Sequence, residues 1–127
     1  MQIVLIVLVA IIVFGLVRFL RQRKVLKTLT EEEFRAGYRK AQLIDVREPN
    51  EFEAGHILGA RNIPLTQLKH RLVEVRADKP VYLYCQSGSR SARAALVLNK
   101  HGRKDLYQLK GGFKKWTGKI KKKEKRY

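Results

Sequence analysis

Residues 81–98 read VYLYCQSGSRSARAALVL, and the reading of this stretch decides the fold. Val81 to Tyr84 is a run of aromatic and aliphatic residues with Pro80 only at its start, which fits a strand buried on both faces of a parallel sheet. Cys85-Gln86-Ser87-Gly88-Ser89-Arg90 follows as a loop. Beyond it Ala92, Ala95, Leu96 and Leu98 make an apolar helical stripe that ends at His101-Gly102, with Gly102 as the C-cap.

Working outward, the same alternation continues in both directions. Upstream, Thr30-Glu31-Glu32-Glu33 reads as a capping box and predicts a short helix through about Tyr38. Gln42 to Val46 is a short apolar strand that runs into Asp45, Arg47 and Glu48. Pro49-Asn50 starts a helical turn that stops at Gly55, and Ala60 to Ile63 suggests a second strand closed by Pro64. Leu65, Leu68 and Leu72 recur at helical spacing until Asp78-Lys79-Pro80. Downstream, Leu106 to Leu109 predicts another strand, Gly111-Gly112 breaks it, and Phe113 to Trp116 opens a last helix that trails into a basic tail. Strands alternating with helices at this spacing predict an α/β domain with a mainly parallel sheet, and there is no internal repeat.

In such sheets ligands bind beyond the carboxyl ends of the strands, where loops meet helix N-termini. Cys85 falls at that junction. A turn containing Gly88 can aim successive backbone N–H groups inward, the helix starting near Ser89 adds its positive end, and Arg90 adds a full charge. All three favour the thiolate, so Cys85 is expected to ionise below a free thiol and to act as a nucleophile beneath a bound anion. It is the chain's one cysteine, so no intramolecular disulfide can form and no thiolate cluster can hold zinc. Neither a metal nor a cofactor is expected, and a reducing compartment suits such a thiol.

Three stretches together carry a family resemblance: LIDVREPNEFEAGHILGARNIP (43–64), YCQSGSRSARAA (84–95) and LKGGFKKW (109–116). In order and spacing they resemble the rhodanese-like sulfurtransferases over nearly all of residues 26–118. The resemblance implies a rhodanese-like domain, a mainly parallel sheet flanked by helices on both faces; the one transmembrane helix expected before it lies outside the family pattern. It implies that Cys85 takes a sulfane sulfur as a persulfide, with thiosulfate as a laboratory donor and cyanide or a thiol, small or on a protein, as acceptor. On the same mapping Gln86, Ser87, Gly88, Ser89 and Arg90 cradle the persulfide, Arg90 holds the donor's sulfonate, and Asp45 and Arg47 line or buttress the pocket.

Two other readings stand beside it. Related phosphatases set an arginine around a similar cysteine loop with five residues between the two. Here four residues separate Cys85 from Arg90, which tightens the loop for a tetrahedral phosphate. A membrane-tethered binding module using the fold without catalysis is the second alternative, against which the presence of both Cys85 and Arg90 argues. His56, in GHILGA, is expected to bond backbone in a structural turn rather than serve as a base, and His101 to cap a helix end. Asp45 and Glu48 flank Arg47 and suggest structural ion pairs, with Arg47–Glu51 the first to look for. Phe113 and Trp116 are expected in the core.

The ends of the chain tell a separate story. Residues 3–17 are apolar except Gly15, and with Met1, Gln2, Phe19 and Leu20 they extend over about twenty residues, enough to cross a roughly 30 Å hydrocarbon layer as a helix. A secretory signal would carry its positive charge before the apolar run and a small-residue cleavage site after it, whereas here the basic cluster follows. The formal charge of +17 is concentrated at the two ends: residues 18–27 carry +5, residues 114–127 carry +7, and the remaining +5 lies between. That distribution suits anionic lipid headgroups better than nucleic acid, which favours a spread basic face with stacking aromatics. The expected organisation is an anchor at 1–20, a basic linker at 21–25, the enzymatic domain at 26–118 and a basic tail at 119–127. The N-terminus is placed outside and the domain in the cytosol. The sequence does not set an oligomeric state.

Overall fold

Helix α1 (Gln2–Val25) opens the chain, 24 residues long and therefore about 36 Å. Its first part, Gln2–Leu20, has a mean hydropathy of 3.2 and is exposed along its length. The helix is long and apolar enough to cross a membrane. The computed structural model describes residues 1–122. The end of the expected basic tail, 123–127, lies outside the described residues, as do the side chains of the basic linker at 21–24.

The helix passes directly into β1 (Leu26–Leu29), and the rest of the chain alternates strand and helix: α2 (Glu31–Gly37), β2 (Gln42–Asp45), α3 (Pro49–Ala54), β3 (His56–Ile57), β4 (Arg61–Asn62), β5 (Val81–Tyr84), α4 (Ser89–Lys100), β6 (Leu106–Leu109) and β7 (Ile120–Lys121). Five strands form one parallel sheet in the order β1-β6-β5-β2-β4. β5 sits at its centre, which is why its sequence is apolar without interruption. Its side chains still alternate by the pleat. Val81, Leu83 and Cys85 join one core layer with Ile44, Ala94, Ala95 and Leu98. Tyr82 and Tyr84 face the other, with Phe34, Tyr38, Leu43 and Ile57.

Local chemistry explains the boundaries. Thr30 accepts the Glu33 N–H while the Glu33 carboxylate takes the Thr30 N–H, the reciprocal cap expected from the sequence. Glu48 and Glu51 form a second such box, with Pro49 at the first helical position of α3.

Three expectations need correction. The leucine spacing at 65–72 does not make an α-helix but two tight 3₁₀ turns, Leu65–His70 and Leu72–Glu74, because the backbone leaves helical geometry at Arg71. The stripe on α4 is rotated: Ser91, Ala94, Ala95 and Leu98 are buried, while Ala92 and Leu96 face outward. The last helix is a single turn, Phe113–Lys115. After it the chain extends into β7, antiparallel to β3 with Ile57 opposite Ile120, so a strand occupies the start of the expected tail. There Trp116 folds back to donate its indole N–H to the Lys119 carbonyl, over a Gly118 that leaves room for the ring.

Candidate functional site

The parallel register sets Asp45 opposite Tyr84, so the chains leaving β2 and β5 emerge side by side at the carboxyl edge of the sheet. The turn after β6 joins them. The Phe113 N–H donates to the Cys85 carbonyl (2.8 Å) and the Lys114 N–H to that of Gln86 (3.2 Å). Only glycine fits at 112. Its φ is +67°, and an added Cβ would lie 2.5 Å from the Gln86 oxygen and 2.7 Å from that of Cys85. The GlyGly pair read as a strand breaker thus lets one loop lie on the other.

Cys85 is 1% exposed at the floor of this junction. The chain turns around its sulfur through Gly88, at φ +122°, which delivers the Gly88 N–H to Sγ at 2.9 Å. The Ser91 N–H, in the first turn of α4, reaches it at 3.4 Å, and the Ser91 hydroxyl lies 3.5 Å away. Burial pushes this thiol up. The Ser91 hydroxyl and the N–H groups of Ser91, Gly88 and Ser87 outweigh it, and the pKa falls below the ordinary thiol value. Ser91 is itself held: its hydroxyl oxygen lies 3.0 Å from the Gly88 carbonyl and 2.7 Å from Oε1 of Gln108, whose amide donates to Thr28 Oγ1 (2.9 Å).

The two arginines have different places from one another. Arg47, 3% exposed, clasps the fully buried Asp45 through Nε and Nη2, with the Nη2–Oδ2 contact at 2.7 Å. It also donates to the Gly55 carbonyl (2.6 Å) and to Oε1 of Gln86 (3.2 Å), and its guanidinium lies over the Phe113 ring. Asp45 and Arg47 therefore sit beneath the loop as a staple between β2, the end of α3 and Gln86. Arg90, half-buried at the rim, is gripped by Glu51 at both terminal nitrogens, 2.6 and 3.0 Å. The expected Arg47–Glu51 pair is thus replaced by Arg47–Asp45 and Arg90–Glu51, because residues two apart at a strand end fold back on each other while Glu51 points from α3 toward the loop.

His56 stacks on Phe52 and its Nδ1 bonds the Phe52 carbonyl at 2.8 Å, remote from any role as a base for Cys85. His101 bonds the Val97 carbonyl at the end of α4. Phe113 and Trp116 pack against the second core layer. No group of three or more His, Cys, Asp or Glu side chains could hold a metal ion among the described residues.

Sequence reading missed Ser91 and Gln108, and gave Glu51 to Arg47 rather than to Arg90. Each left a trace: a serine at i, i+3, i+4, i+7 with Ala94, Ala95 and Leu98, a glutamine inside the strand LYQL, and a Glu48-x-x-Glu51 box opening α3.

Comparison with known proteins agrees with this geometry. Residues 30–119 match the Rhodanese-like domain family. The uncharacterized protein YqhL of Bacillus subtilis (strain 168) is 67% identical over 123 residues, covering 97% of this chain and 98% of that protein. Thiosulfate sulfurtransferase GlpE of Shewanella oneidensis is 37% identical over 78 residues, 61% of this chain and 77% of its own. Among solved structures, the human single-domain sulfurtransferase TSTD1 superposes with a TM-score of 0.63 at 26% identity, covering 70% of this chain and 93% of that one. A rhodanese-like domain protein from Staphylococcus aureus gives 0.69 at 26% identity, with 77% and 99% covered. The loop around Cys85, the parallel sheet that carries it and these matches lead to one conclusion: the chain belongs to the rhodanese-like family.

Proposed function

We propose that this domain is a sulfurtransferase that carries sulfane sulfur as a persulfide on Cys85, moving it from a donor such as thiosulfate or another persulfide to a thiol or cyanide. The observation that carries the reading is the ring of N–H groups and one hydroxyl converging on a single sulfur. A thiolate needs that environment to form, and the larger anionic sulfur of a persulfide needs it to persist. In the first half-reaction the Cys85 thiolate attacks the outer sulfur of the donor. The new S–S bond forms as the old one breaks, and thiosulfate leaves as sulfite with the bonding pair. In the second half-reaction an acceptor thiolate or cyanide attacks the outer sulfur of the persulfide and returns Cys85 as thiolate. Gln86 to Arg90 form the cradle, while Asp45 and Arg47 fix the loop from below. The names of the GlpE relatives support the reaction class.

A phosphatase reading has less support. Glu51 takes both terminal nitrogens of Arg90, and the four-residue spacing is too short for a phosphate loop. A non-catalytic binding module would not need the depressed thiol. α1 is the membrane anchor in this proposal, with the basic residues 18–27 and the domain on the cytosolic side.

The test is direct. The full chain in detergent, incubated with thiosulfate or cysteine persulfide, should gain the mass of one sulfur atom on Cys85, and cyanide should remove it as thiocyanate. Cys85→Ser should abolish both events. Thiocyanate formation by that variant, or faster hydrolysis of an aryl phosphate than sulfur transfer by the wild type, would overturn the assignment.

A further inference from the structure

Arg90 stands at the rim of the cradle, and the structure shows it already engaged. Nη1 and Nη2 meet the two carboxylate oxygens of Glu51 at 2.6 and 3.0 Å, which is the two-point geometry an arginine would use for a sulfonate. Glu51 does not swing freely. Its Oε1 also takes the Glu48 N–H at 3.1 Å, so the carboxylate is fixed to the first turn of α3 as well as to Arg90. Above all the Arg90 bond, and also that backbone N–H, holds its pKa at about 2, so it is ionised at any physiological pH. Arg47, the other arginine at this loop, is paired with buried Asp45.

A donor approaching Cys85 therefore meets a thiolate and a carboxylate with one arginine between them. Thiosulfate brings two further negative charges, and its sulfonate needs the very N–H groups that Glu51 occupies. A persulfide, R–S–SH, brings at most one charge on its reacting end and needs only the N–H groups of the cradle. Its transfer balances without another reagent. Cys85–S⁻ attacks the outer sulfur, R–S⁻ leaves with the bonding pair, and Cys85–S–SH keeps the proton.

We infer that Glu51 is a specificity-determining residue which, by occupying both terminal nitrogens of Arg90, turns the site away from dianionic thiosulfate and toward a persulfide donor. This inference rests on the sulfurtransferase reading and adds the class of donor to it.

The experiment measures single-turnover loading of Cys85 in the full chain, in detergent, from thiosulfate and from cysteine persulfide. The wild type should load from cysteine persulfide the faster. Glu51→Gln keeps the shape and removes the charge, freeing Arg90. It should raise the thiosulfate rate by about tenfold or more, the modest end of what removing a like charge a few ångströms away does at a protein rim. The cysteine persulfide rate should change far less. Glu51→Gln with Arg90→Ala should lose the thiosulfate gain, which a merely structural role for Glu51 would not produce. An unchanged or lowered thiosulfate-to-persulfide ratio in Glu51→Gln, or a wild type that prefers thiosulfate, would overturn the role of Glu51 and leave sulfur transfer standing. Failure of the wild type to load from either donor would instead remove the sulfurtransferase reading and this inference with it.

Discussion

Cys85 is buried among apolar residues yet its pKa lies below the ordinary thiol value, and the reason lies in a handful of atoms. Desolvation alone would keep the thiol protonated. The Ser91 hydroxyl, with the N–H groups of Ser91, Gly88 and Ser87, reverses the sign. A protonated thiol can donate to the Ser91 oxygen, but a thiolate can only accept, so the Ser91 proton must then turn toward sulfur and away from Gln108 and the Gly88 carbonyl. Removing that hydroxyl leaves burial less opposed. Ser91→Ala should accordingly move the midpoint of Cys85 alkylation by iodoacetamide to higher pH, with the fully ionised rate little altered, and a midpoint that stays put would show that the backbone N–H groups suffice. Cys85 was legible from its residue type and its place between strand and helix. Ser91 was not, because serine is common in loops and helix starts and only the orientation of α4 shows that this one points inward. The partner of Arg90 was hidden for a related reason: Arg47 and Arg90 both had Glu51 within plausible reach, and only the packing of α3 decides between them.

At the scale of elements, the strands of the central sheet follow from residue type, and β5 and β6 have the bounds read from the sequence. What sequence could not show was the short pairing of buried β3 with exposed β7. Two residues on each side carry no periodicity, and Lys119, Lys121 and Lys122 around Ile120 look like a solvated tail until a partner strand is present. The leucines at 65–72 misled because a 3₁₀ turn and an α-helix share the i, i+3 spacing. The element junction that matters most for the site is the Asp45–Arg47 staple, where a single guanidinium ties the end of β2 to the carbonyl after α3 and to Gln86 in the loop. Asp45→Ala would strand a buried positive charge among Tyr84, Phe113 and two neutral acceptors. Breaking such a pair costs about 3–5 kcal/mol, a large part of the stability of a domain this size. Thermal unfolding of the full chain in detergent should show a correspondingly lower transition, with sulfur loading slowed even well below it. A variant as stable as the wild type would mean that water or a neighbouring group takes over the carboxylate's contacts.

The whole molecule joins a rhodanese-like domain to a helix whose segment Gln2–Leu20 is apolar and exposed, and the polarity of that arrangement can be argued from charge. Moving Arg or Lys across a bilayer is costly, so basic residues beside an apolar segment stay where the chain is made. Arg18 lies near the end of the segment Gln2–Leu20, and Arg21, Arg23, Lys24 and Lys27 follow it. Because α1 ends at Val25 and β1 begins at Leu26, the domain follows the helix without an intervening loop, and in the proposed arrangement its sheet lies close to the surface on the side of those charges. That placement also suits the proposed chemistry, since a lone thiolate carrier survives best where thiols are kept reduced. Sealed inverted membrane vesicles, with the cytosolic face outward, should therefore expose the domain to added protease, and full-length chain should disappear while right-side-out preparations keep it. Digestion confined to the right-side-out preparations would reverse the orientation, and loss of the chain to a carbonate wash of either preparation would show that α1 does not anchor it at all.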